Sequence, residues 1–121
     1  MLRAISMSVL LPMALAASAL AADVTGKWRG PMEGAGSEIV LDLKADGARV
    51  TGTMTNAGDK PHAITKGSLD GDKISLTVAS EWQGNPVTLL ITGTVAGDTM
   101  TLKIGTEDGA WSTDAVVKRS S

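Results

Sequence analysis

One histidine, no cysteine and no tyrosine leave this 121-residue chain few side chains able to do covalent chemistry. His62, in "DKPHAI", is the single group with a pKa ordinarily suited to general acid–base work near neutral pH, given an acidic residue to orient it. Its place beside Pro61 reads as a turn, where a lone imidazole is solvated rather than catalytic. Ser37, Ser68 and Ser75 have no neighbours that mark an activated nucleophile. The chain is therefore expected not to be an enzyme.

Metal and phosphate chemistry fare no better. One His and no Cys cannot build a tetrahedral zinc site. Asp70 and Asp72, and Glu107 to Gly109, supply hard oxygens, but at the spacing of turns rather than of a six-ligand calcium loop. "GPMEGAG" at 30–36 is glycine-rich, yet no Lys-Ser/Thr pair follows it and no helix opens behind it, as a phosphate cradle requires. It reads as a loop or lid between two strands, with Met32 the apolar residue best placed to touch a ligand. No metal and no cofactor are expected.

Those residues have to be positioned by something, and the pattern names it. Residues 1–21 read as an export signal: Arg3, then the apolar run "AISMSVLLPMALAASAL", then small residues at Ala19 and Ala21 around a cleavage site. The mature chain would run from residue 22 to 121 as one domain, periplasmic or extracellular. No later stretch is long and apolar enough for a membrane-spanning helix. Loss of Arg3 leaves ten basic against thirteen acidic residues, a net charge of −3. That balance argues against nucleic acid as a partner, because phosphate binding needs clustered Lys and Arg. Without disulfides, stability must come from an apolar core and a hydrogen-bonded sheet.

Two-residue alternation fills the mature chain. Ile39, Leu41 and Leu43 alternate with Glu38, Asp42 and Lys44; Ile74, Leu76 and Val78 alternate with Lys73, Ser75 and Thr77; Met100, Leu102 and Ile104 alternate with Thr99, Thr101 and Lys103. Val50, Gly52 and Met54, and Val87, Leu89, Ile91 and Val95, complete the inward set. This is the pattern of half-buried antiparallel strands. "ADGA", "LDGDK", "VAGDT" and "EDGA" punctuate the runs with the Asp-Gly and Gly-Asp pairs that tight hairpins use. Eight strands are predicted, at 24–30, 37–44, 48–55, 62–69, 73–80, 86–95, 99–105 and 111–119, the fourth having the weakest pattern. Short links pair each strand with its neighbour. Closing such a meander removes its edges, so an eight-stranded antiparallel up-and-down barrel is the expected fold, with a two-sheet β-sandwich as the alternative. The many outward threonines fit β-propensity on a solvated face.

Three tryptophans carry all the aromaticity. Trp28 lies in "TGKW", opening the first strand. The Gly26-x-Trp28 start resembles that of lipocalins and other calycin-type barrels. The resemblance implies that Trp28 plugs the closed end of the barrel and that a basic residue of the last strand, Arg119 or Lys118 in "AVVKR", lies across it. "TGKW…TGTM" is also similar to the first hairpins of avidin-type barrels. The positions that hold biotin there are matched here by Gly30, Gly34 or Ser37, and Met54, so biotin binding is not carried over. A third resemblance is to small periplasmic metalloprotease inhibitors, which would make "ADVT" a trunk entering a protease cleft; those proteins carry a disulfide that this chain lacks.

If Trp28 is scaffold, the site belongs at the other end. Trp82 in "SEWQGNP" and Trp111 in "GAWSTD" flank turns there, and Met54 is an adaptable filler of the interior. An eight-stranded barrel is just wide enough to be filled by side chains or to hold one small ligand. The function expected is that of an exported, non-enzymatic barrel binding a small apolar or amphipathic ligand at its open end, through Met32, Met54, Trp82 and Trp111. The alternatives are a module that binds an exported protein partner, such as a protease inhibitor, and a filled barrel with a structural role.

Overall fold

The alternating runs form eight strands in a computed structural model that describes residues 23–33, 37–56 and 60–120. They are β1 (Gly26–Met32), β2 (Ser37–Asp46), β3 (Arg49–Asn56), β4 (His62–Asp70), β5 (Lys73–Trp82), β6 (Asn85–Ala96), β7 (Thr99–Thr106) and β8 (Ser112–Arg119). Each pairs antiparallel with the next, and β8 returns to β1 through Trp28↔Arg119 and Met32↔Ala115, closing the barrel. Closure rules out the sandwich. The expected export signal at 1–21 and the loop residues Gly34 to Gly36 lie outside the described residues.

Every residue assigned inward from its alternation is buried, except Gly52 and Val87, which are half-buried. Lys27, Asp42, Lys44 and Lys103 stand on the outer face, exposed. The first strand differs from expectation. It begins two residues later and runs on through Pro31 to Met32, so Met32 ends a strand with its side chain buried rather than riding on a loop. Gly30 shows why this strand fits where it does: a Cβ there would lie 2.0 Å from the Val116 carbonyl oxygen, so only glycine lets β1 and β8 approach.

The weak fourth pattern has a structural cause. Ile64 pairs with Val78 and Lys66 with Thr77, which leaves Thr65 as an extra residue on β4. Thr65 and Lys66 are both exposed, and the alternation resumes one residue out of step. A β-bulge of this kind breaks the period-two signal that identifies a strand. His62 opens β4, as the predicted strand bound has it, but it lies opposite Met54 and is 7% exposed rather than solvated. It shares the inward phase of Ile64, and the barrel wall covers it.

The two ends of the barrel differ. Two-residue turns containing Gly47, Gly71 and Gly97 close the hairpins at one end, each glycine with φ of 63–64°. The other end carries the longer connections, with one tight turn at Gln83-Gly84, where both residues have positive φ.

Candidate functional site

Trp28 sits wholly buried at the tight-turn end. Its indole N–H donates to the Val24 carbonyl at 3.0 Å. The Arg119 guanidinium lies over the ring, 4.3 Å from its centroid. The same guanidinium donates to the carbonyls of Thr25 at 2.7 Å and Asp23 at 2.9 Å, and to the Asp98 carboxylate at 2.8 Å. One planar group thus stacks on the plug and ties the N-terminal segment and the β6–β7 turn across it, a geometry that uses the guanidinium fork and that an ammonium cannot reproduce. Of the two basic residues proposed for this role, Lys118 is excluded. It falls on the outer phase of β8, exposed, opposite Arg29 and Thr99, whereas Arg119 continues the inward phase of Ala115 and Val117.

Asp23 completes the latch. The Thr25 backbone N–H donates to its carboxylate at 3.0 Å; that bond first, then the Thr25 hydroxyl and, less, nearby Arg119 hold its pKa below the ordinary carboxylate value, against the opposing effect of desolvation. Val24 is fully buried, and the Thr25 hydroxyl accepts from the Ala45 N–H at 3.0 Å. Residues 23–25 are therefore bound to the closed end and do not project as the trunk that the inhibitor resemblance implies.

The opposite end holds a cavity of about 670 Å³. Met32, Met54, Leu89 and Ile104 are its buried apolar side chains. Above them the lining turns polar: Ser37, Asn56, Ser80 and Thr106. The period-two rule explains the ring. Each of these residues is the next inward position on its strand after a core residue, Ile39, Met54, Val78 and Ile104 in turn. Trp82 and Trp111 also line the cavity and are 69% and 45% exposed. All four residues proposed as ligand contacts, Met32, Met54, Trp82 and Trp111, line this one space, at the end away from Trp28. Ser37, Asn56, Ser80, Glu81, Val87, Leu89, Ile104, Thr106 and Ala110 line it too. The sequence carried a signal for the polar ring, since each inward stripe passes from aliphatic to polar as it leaves the core.

Two features of the cavity bear on chemistry. The Asn56 Oδ1 atom is buried and has no hydrogen-bond partner among the described residues. Among the described residues Glu81 is the only charged one in the lining; its carboxylate lies 3.9 Å from Lys60 Nζ in an exposed pair, a weak contact by ordinary standards. The loop bearing Trp111 is tightly held. The Trp111 N–H donates to the Thr106 hydroxyl at 3.1 Å, the Thr106 N–H donates to the Trp111 carbonyl at 2.9 Å, and the Glu107 N–H reaches the Thr88 carbonyl at 2.9 Å. Asp108 accepts from the Ala110 N–H at 3.0 Å; that bond and the Thr106 hydroxyl keep its carboxyl below the ordinary range.

A second depression, of about 820 Å³, runs along the outer wall where β3 and β4 part at the bulge. Outward side chains such as Arg49, Thr51, Lys66, Ser75 and Thr77 line much of it, with no aromatic residue among them. It is a solvated groove in the wall, not an enclosed site. Among the described residues no three His, Asp or Glu side chains gather as metal ligands would. His62 is not part of the mouth lining.

No protein-family model matches the chain, and no curated protein matches it.

Proposed function

We propose that the chain is an exported, non-enzymatic barrel of the lipocalin-like, calycin type that takes one small apolar or amphipathic ligand into its open end. The observation that carries this reading is the mouth cavity. Its volume of about 670 Å³ falls in the ordinary range for small-molecule sites, ~300–1,000 Å³. Its buried side chains are aliphatic, its collar is polar, and two exposed indoles stand in its lining, a graded surface suited to a molecule with an apolar body and a polar head. The Trp28 plug under Arg119 supports the calycin-type kinship. The apolar run at residues 1–21 supports export to the periplasm or the medium. The charged, threonine-bearing outer wall supports a solvated barrel, since one facing lipid would carry its apolar residues outward.

Native mass spectrometry of the protein purified from the compartment it is exported to tests the reading. A small-molecule adduct that leaves on unfolding is the expected result. A bare mass, together with no saturable uptake of the neutral probe N-phenyl-1-naphthylamine, would sink it.

A further inference from the structure

We infer that the mouth selects cationic amphiphiles, alkyl or arylalkyl amines, over fatty acids and other anionic ones; this rests on the mouth cavity being a ligand site. Three independent features of the open end point the same way. Among the described residues the lining includes one ionisable group, and it is a carboxylate, Glu81. Within the polar collar, Asn56 Oδ1 is a buried acceptor without a partner among the described residues, and a bound N–H would satisfy it. The connections around the mouth add Glu33, Glu107 and Asp108, and the exposed Lys60 is the one cation on the described parts of these connections. A carboxylate head entering here would face Glu81 with no basic side chain among the described lining residues to receive it. For an ammonium head the same lining offers acceptors: the Glu81 carboxylate, the Asn56 oxygen and the hydroxyl oxygens of Ser37, Ser80 and Thr106. Two indoles, Trp82 and Trp111, share the lining, and a ring face attracts cations through its quadrupole. Lys60 does not cancel this preference. Its contact with Glu81 is long and both side chains are more than half exposed, so an entering ammonium can displace it.

The apolar body of the ligand goes down the cavity to Met54 and Met32, whose flexible thioethers adapt to its shape. The head stays at the collar, where it keeps part of its hydration. That placement avoids burying a full charge, which the aliphatic floor could not compensate.

The test compares three ligands of equal chain length, dodecylamine, dodecanol and dodecanoate, below their micellar concentrations. Each is titrated into the mature protein at pH 7 with binding read by tryptophan fluorescence and checked by calorimetry. The amine is expected to bind about tenfold more tightly than the alcohol, the gain of roughly one charge-assisted hydrogen bond, and the carboxylate more weakly than the alcohol. Glu81→Gln should narrow the amine-to-alcohol ratio severalfold. Dodecanoate binding as tightly as dodecylamine, or a ratio unchanged by Glu81→Gln, overturns the inference and leaves the mouth site standing. No binding by any of the three removes the mouth site and the inference with it.

Discussion

The Arg119 guanidinium stacks on the Trp28 indole at 4.3 Å and at the same time donates to the carbonyls of Asp23 and Thr25. Strand phase makes this possible, because Arg119 is the inward residue that follows Val117 as β8 leaves the core. The contact closes one end of the barrel and so fixes which end is open.

Truncating the plug tests its role as scaffold. Trp28→Ala removes a fully buried indole and is expected to cost about 3–5 kcal/mol in denaturant unfolding. Ligand affinity in the fraction that stays folded should be unchanged, because the cavity is at the far end.

Arg119→Ala should cost about 2–3 kcal/mol, from charge-assisted bonds to backbone carbonyls and the ring contact together. Arg119→Lys should restore less than half of that loss. A lysine stability equal to wild type would mean that charge alone, and not the planar fork, holds the latch. Lys118→Ala should leave stability within about 0.5 kcal/mol, as expected of an exposed outer residue.

Acid should loosen the same end. The Asp23 carboxyl titrates below its unfolded value, first because of the Thr25 backbone N–H and then the Thr25 hydroxyl and Arg119. A group depressed on folding contributes stability that is present above its unfolded pKa and is lost as pH falls through the folded one. The melting temperature should therefore stay level from pH 7 to about 5 and decline below about 4. Asp23→Asn should flatten that acid limb, as should Asp108→Asn, whose carboxyl is lowered first by the Ala110 N–H.

Gly30→Ala should open the closing seam. The added Cβ would stand 2.0 Å from the Val116 carbonyl oxygen, backbone against backbone, so no side-chain rotation relieves it. A loss of about 3 kcal/mol is expected, with amide exchange in β1 and β8 accelerated ahead of the rest of the barrel.

The barrel was legible because seven strands keep one inward phase throughout, even where Val40, Leu90 and Val116 put apolar residues on the outward phase as well. Leu76 and Leu102 face inward as their neighbours' polarity requires. The fourth strand was faint because the bulge at Thr65 puts two outward residues in succession. The burial of His62 was missed because Pro61 suggests a solvated turn, although the first inward position of β4 falls on the very next residue. The choice between Arg119 and Lys118 was contained in the sequence, since counting from Val117 by two reaches only Arg119. The mouth was half legible. Trp82 and Trp111 stood out by their rarity, whereas Asn56, Ser80 and Thr106 read as ordinary polar residues until the closed barrel brought the strand ends together. Glu81 could not be assigned from phase at all, because it stands on the outward phase of β5 and borders the cavity only where the hairpin extends past the barrel wall.

The three indoles report separately on the central claim, that the ligand site is the mouth and not the plug. In ¹H–¹⁵N spectra of the mature protein, the Trp28, Trp82 and Trp111 ring N–H signals can be assigned by single substitution and followed during a titration with N-phenyl-1-naphthylamine. Saturable shifts are expected at Trp82 and Trp111, while the Trp28 signal, buried and bonded to Val24, stays in place. A saturable shift at Trp28 with Trp82 and Trp111 unmoved, or no saturable shift at any of the three, would contradict it.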